Sequence, residues 1–141
     1  MKFLTFLLVV LLAGCALVDP STEVGQALHQ LNQAYKEKDI EAFMSLVSPD
    51  YQGNLENLKT AVENDFAGFT EVDYRTSVFQ TKVDAKTGVY RSSVYYVKTA
   101  RSPRYGTNNQ SGEAVLTFSK DQNGLKLTNM SDPALYGLIL P

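Results

Sequence analysis

The residues of this chain that could do chemistry are few, and most stand alone. Cys15 is the only cysteine, His29 the only histidine, and tryptophan is absent. One thiol forms no intrachain disulfide, and one cysteine with one histidine supplies no zinc or iron–sulfur ligand set, so no metal and no cofactor are expected. No glycine-rich phosphate loop, nucleophile elbow or dinucleotide fingerprint is present. Acid–base catalysis remains. It needs a carboxylate or imidazole in a dry pocket, with donors such as tyrosine to hold developing negative charge. His29 shares a helical stripe with Gly25, Asn32 and Lys36; that stripe is polar, so the ring is expected in water. Asp73 is the best-placed carboxylate on an extended segment, but it alternates out of phase with Val72 and Tyr74, and the pleat turns it away from the interior. Glu37, Glu41, Glu56 and Glu63 fall on polar helix faces. No carboxylate or histidine is therefore expected inside the fold, and no catalytic residue is assigned.

Two other groups carry potential function. Tyr35, Tyr74, Tyr90, Tyr95 and Tyr96 either wall a ligand cavity or pack in the core with hydroxyls at the rim, and Tyr35, Tyr74 and Tyr96 are the candidate pocket lining. Charge is segregated. Eleven acids stand against Lys36, Lys38 and Lys59 between Asp19 and Asp73, whereas seven bases stand against Asp84 alone between Arg75 and Arg104. Lys98, Arg101 and Arg104 are expected on the longest loop beside Tyr105, with Arg75 and Arg91 as cross-strand neighbours. Such a surface suits an acidic protein patch, an acidic glycan or anionic lipid headgroups, or it balances the chain's own acidic helices. The net charge of −2 gives no reason to expect a nucleic-acid partner.

The N-terminus sets an address. Lys2 precedes an uncharged run from Phe3 to Leu12, and small residues then lead to Cys15. That run is about ten residues, short of the roughly 20 needed to span a bilayer, so it reads as the core of a signal peptide. Leu12-Ala13-Gly14-Cys15 resembles the lipobox of bacterial lipoproteins. The resemblance implies cleavage before Cys15, a diacylglycerol on its thiol and acylation of the new amino terminus, palmitate among the chains. Alanine at position 16, in place of the aspartate that retains lipoproteins at the inner membrane, implies the periplasmic leaflet of an outer membrane in a Gram-negative cell. The expected organisation is a removed signal peptide at 1–14, a lipidated cysteine and short tether at 15–20, and one domain at 21–141.

The elements that would position these residues follow from periodicity. Asp19-Pro20 starts a helix with Val24, Leu28, Leu31 and Tyr35 on one face. Asp39 caps a second helix carrying Ile40, Phe43, Met44 and Val47, ended by Ser48-Pro49. A third helix begins near Asn54, with Leu55, Leu58, Val62, Phe66 and Phe69 inward and Gly68 as its stop. The period then changes to two. Strands are expected through Val72–Val78, Val89–Thr99, Ala114–Phe118 and Leu125–Met130, with turns at 84–88 and 121–124 and a loop over 101–110. Helices followed by antiparallel strands give an α+β fold, with N-terminal helices packed on a curved sheet of about four strands. The apolar run Leu135–Pro141 either closes the core or stays exposed as a docking strip.

This order is similar to the cystatin-like, cone-shaped domains of the nuclear-transport-factor-2-like superfamily, over roughly Ser21 to Gly137. The resemblance rests on residues 31–43 (LNQAYKEKDIEAF), on Gly112–Phe118 and on the Asp121–Leu127 hairpin. Many members carry tryptophan where Leu125 stands. The superfamily includes isomerases and dehydratases that work inside the cone, and it often pairs sheets into homodimers, which makes a second copy a candidate partner. Without a base inside the cone, the chain reads as a non-enzymatic, lipid-anchored envelope module. Its partner would be an envelope protein or an anionic lipid or glycan. The alternative is a carrier of small apolar ligands or an enzyme using the cone.

Overall fold

The computed structural model describes residues 18–131 and 134–137. Cys15 with its tetrad, the tether up to residue 17, and Leu138–Pro141 of the C-terminal run lie outside them. Each helix begins on an oxygen-bearing cap, which satisfies backbone N–H groups the first turn leaves unpaired. Asp19 accepts from the Ser21 N–H at 3.0 Å before α1 (Pro20–Lys36). Asp39 accepts from the Ala42 N–H at 3.0 Å before α2 (Ile40–Ser45), and Asn54 from the Asn57 N–H at 2.9 Å before α3 (Leu55–Gly68). Val24, Leu28, Leu31 and Tyr35 are buried as their spacing requires. No helix among the described residues is long and apolar enough to cross a membrane.

Four antiparallel strands follow in sequence order: β1 (Glu71–Asp84), β2 (Val89–Ser102), β3 (Gly106–Asp121) and β4 (Gly124–Ser131). One face of this sheet carries the helices. Two hydrogen bonds fix how α1 lies on β1: Ser21 Oγ to Thr81 Oγ1 at 3.0 Å and Asn32 Nδ2 to Thr76 Oγ1 at 2.9 Å. Eleven helical residues advance about 16 Å and five strand residues also about 16 Å, so helix and edge strand run side by side in opposite directions.

Two expectations need correction. The loop expected over 101–110 is a three-residue turn, Pro103–Tyr105, because β2 runs on to Ser102 and β3 starts at Gly106. Ala100 and Ser102 continue the buried alternation of β2, and Gly106 takes the positive φ of 74° that a three-residue hairpin requires. Ser102 Oγ accepts from the Arg104 and Tyr105 N–H groups at 3.2 and 3.4 Å. Asn108-Asn109 therefore sits within a strand rather than a loop. Arg75 and Arg91 are not neighbours either. Arg75 pairs with Val97, and Arg91 with Lys82, because the turn after β1 sets Asp84 opposite Val89 and so leaves Arg75 seven residues along β1 from the partner of Arg91.

The C-terminal run closes the core as far as it is described. Leu135 and Tyr136 are buried against the helices, and Gly137 adopts a φ of 82° with no room for a Cβ, which would fall 3.0 Å from the Ala61 Cβ. Replacing Tyr136 with alanine should cost about 3–5 kcal/mol in urea unfolding, the range for losing a large buried ring. Tyr105→Ala, at an exposed turn, should stay within about 0.5 kcal/mol.

Candidate functional site: a filled cone and a basic sheet face

Asp65 corrects the expectation that no carboxylate lies inside the fold. It is 1% exposed, on the stripe of α3 that also buries Leu58 and Val62. Tyr35 Oη donates to Asp65 Oδ2, and the Gly137 N–H donates to Tyr35 Oη at 3.2 Å. Tyr74 Oη donates to the Leu135 carbonyl at 3.0 Å, and Tyr136 Oη to Asn32 Oδ1 at 2.6 Å. The signal was present in the sequence: Asp65 stands three residues after Val62 and four before Phe69, both inward positions.

The rings around this pair fill the cone. Tyr35 lies edge-on to Phe43, Phe66 and Tyr74, with centroids 5.5, 5.0 and 4.9 Å away. Tyr136 lies 5.6 Å from Tyr35, 5.3 Å from Phe43 and 4.9 Å from Tyr74. Two of the candidate lining residues, Tyr35 and Tyr74, thus face each other and Tyr136, and Tyr96 is buried nearby on β2. Burial drives the phenols of Tyr35, Tyr74 and Tyr136 well above their ordinary value; neighbouring Tyr74 and Asp65 push Tyr35 further, and Asp65 pushes Tyr74. An Asp–Tyr pair could hold and move a proton, but here its hydrogen bonds lead to the chain's own C-terminal turn.

The basic residues divide. Lys98 is not on a loop with the arginines: it sits on the inward face of β2, 5% exposed, its ammonium 5.8 Å from the Tyr96 ring centre. Burial lowers its pKa, and the charge of Asp65 partly offsets that. Arg101 points outward and pairs with Glu71 at 3.4 Å, while Arg104 lies over Tyr105 at the hairpin turn, 5.2 Å from the ring centre. Tyr105 is 65% exposed. The outward face of the sheet also carries a stacked pair, Phe79 on Tyr95 at 4.3 Å, and two cations placed directly opposite, Lys82 and Arg91. Like charges so placed oppose pairing of the strands. The sequence does not announce this pair, because the clear alternation of the first strand ends at Val78, short of Lys82. His29 is exposed, as its stripe implied, and Asp73 pairs with Arg75 at 3.5 Å on the outward face. Among the described residues no group of three or more His, Cys, Asp or Glu is placed to hold a metal ion.

The sequence matches no protein-family model and no curated protein. Solved structures match it by shape. A conserved protein from Planctomyces limnophilus superposes with a TM-score of 0.68 at 13% identity, over 79% of this chain and 92% of that one. A proposed dehydratase of the NTF2-like family from Streptomyces avermitilis gives 0.65 at 14% identity, over 77% and 92%. A proposed scytalone dehydratase from Novosphingobium aromaticivorans gives 0.70 at 11% identity, over 77% and 79%. The chain has the NTF2-like cone fold, with helices packed on a four-stranded antiparallel sheet.

The three buried phenols set a pH dependence. They keep their protons in the folded state, whereas unfolded tyrosines ionise near pH 10. The folded chain therefore binds more protons above that pH, and stability is lost as pH rises past about 10. The slope should approach about 4 kcal/mol per pH unit for three protons. Lys98, held low, acts in the opposite sense by one proton below the ordinary lysine value. Denaturant unfolding from pH 9 to 12 should show this loss, with about one third of the slope removed in Tyr74→Phe.

Proposed function

We propose that this chain is a lipid-anchored envelope module that binds an anionic envelope component and catalyses no reaction. The observation that supports the reading is the aromatic packing between helices and sheet: Tyr35, Tyr74, Phe43 and Tyr136 stand against one another with centroids 4.9–5.6 Å apart. Groups able to meet a partner lie outside it. Arg101, Arg104 and Tyr105 stand at one end of the β2–β3 hairpin, and Lys82 and Arg91 stand opposed on the outward face beside Phe79 and Tyr95. An anionic partner would relieve the repulsion between those two cations. Leu12-Ala13-Gly14-Cys15 would supply the anchor and hold this surface near a bilayer. In this reading Lys98 contributes to the interior, not to the binding surface.

A second reading is an enzyme or apolar-ligand carrier that uses the cone. Asp65 favours it, because a buried carboxylate beside Tyr35 and Lys98 is the kind of set that acid–base chemistry uses. The dehydratase names of two fold relatives point the same way. It requires the C-terminal turn to leave the cone.

Labelled palmitate should enter the full chain and not Cys15→Ser. The chain from residue 16 onward, made without the signal peptide and unacylated, should then sediment with phosphatidylglycerol vesicles and not with phosphatidylcholine vesicles. Arg101→Gln with Arg104→Gln should weaken that binding by roughly 30-fold at unchanged melting temperature, at about 1 kcal/mol per cation. Equal binding to both lipids would contradict the anionic-partner reading. A melting temperature raised by an apolar ligand, and lost in Tyr74→Ala, would favour the cone instead.

A further inference from the structure

The flank where α1 runs beside β1 holds a groove of about 410 Å³, lined by Gly25, His29, Asn32 and Lys36 of α1 and by Asp73 to Thr76 of β1. It lies outside the filled cone and away from the β2–β3 turn. Its size is within the range of small-molecule sites. Four consecutive residues of β1 contribute, from both faces of the pleat, so the groove opens on the strand's edge. Among the described residues β1 pairs only with β2, which leaves alternate backbone N–H groups on its other edge without a strand partner there.

The charges in the groove are unbalanced. Asp73, its only acid, is already paired with Arg75 at 3.5 Å. Lys36 has no ion pair among the described residues, and Gln33 beside it donates outward to Glu37 at 2.8 Å. His29 adds an exposed imidazole. The antiparallel run of α1 along β1 puts Lys36 and Arg75 toward one end and Gly25 and His29 toward the other. The floor is rigid, because Asn32 both donates to Thr76 at 2.9 Å and accepts from Tyr136 at 2.6 Å.

Gly25 stands within α1, at the end of the groove away from Lys36. A glycine inside a helix costs about 0.5–1 kcal/mol relative to alanine. Packing does not require it here, since a Cβ at position 25 would meet nothing within 4 Å. Position 25 therefore lies open at that end of the groove.

We propose that the α1–β1 groove binds a small oxyanion, a phosphate or a carboxylate, with Lys36 as its charge partner, Arg75 holding the charge of Asp73 compensated, and the β1 edge as its hydrogen-bond donor. The binding needs no lipid anchor and no entry to the cone, so it stands or falls apart from the envelope reading.

The test is an NMR titration of the ¹⁵N-labelled full chain at constant ionic strength, with inorganic phosphate in one arm and succinate in the other. Saturable shifts are expected at the backbone amides of Gly25, His29, Asn32 and Thr76. Saturation by phosphate alone, by succinate alone or by both supports the site and says which oxyanion it takes. Lys36→Gln and Arg75→Gln should each weaken binding roughly fivefold or more, the effect of about 1 kcal/mol. Gly25→Leu should abolish it while the rest of the spectrum stays in place. Arg75 has a side chain 82% exposed, so its variant tests the site even if Gly25→Leu fails to fold. Shifts that rise linearly without saturating, that survive Lys36→Gln and Arg75→Gln, or that centre on the Arg101–Arg104 turn would overturn the proposal.

Discussion

A carboxylate withdrawn from water must be answered by donors within the fold, and the cost of withdrawal makes the answer directional. Here the answer is the Tyr35 hydroxyl. Its proton goes to Asp65, which leaves its lone pairs to accept from the Gly137 N–H. One oxygen thereby joins α1, α3 and the C-terminal turn, and its ring touches Phe43, Phe66, Tyr74 and Tyr136 besides. Buried hydrogen bonds in a chain polarise one another, so the series from Gly137 through Tyr35 to Asp65 is worth more together than apart. The remaining hydroxyls tie the same turn to the sheet and to α1: Tyr74 to Leu135, Tyr136 to Asn32.

Outside this packed interior, the outward face of the sheet and its edges differ in how they are defended. The β3 edge is guarded. From Gly106 to Ala114 it has no β4 partner among the described residues, and exposed polar residues such as Thr107, Asn108, Asn109 and Gln110 line it, a composition that discourages pairing with another chain. The outward face is less defended, with a half-exposed aromatic stack beside opposed cations. The β1 edge is covered only in part by α1, and the groove lies in what remains open.

Much of the fold was legible because its signals are local. Asp19, Asp39 and Asn54 are cap residues whose chemistry acts within three positions, and each caps the helix it announced. The alternation of Val72 and Tyr74 fixed the inner face of β1 from two side chains. What failed depended on partners far along the chain. Pro103, Gly106 and Asn108-Asn109 carry the composition of a loop, yet the hydrogen bonds of β2 carry the sheet through all but three of those residues. Arg75 and Arg91 are separated by the register that the hairpin turn imposes, with Asp84 opposite Val89, and composition alone does not show where that turn is centred. Lys98 was grouped with Arg101 by proximity in sequence, although an odd spacing on a strand puts two residues on opposite faces. Asp65 was the readable error. Its position on the Val62–Phe69 stripe outweighs its charge, and a partner for that charge, Tyr35, stood on the buried face of another helix.

The central claim is that the C-terminal turn is part of the core and not a door to it. Native-state hydrogen exchange at the Gly137 amide tests this most directly, because that N–H is bonded to a buried tyrosine oxygen. A packed cone predicts that this amide exchanges only with global unfolding, with the same denaturant dependence as the central strand amides around Val94. Exchange at a much lower free energy, independent of denaturant and slowed by an apolar ligand, would mean that the turn swings out and the cone is a working pocket.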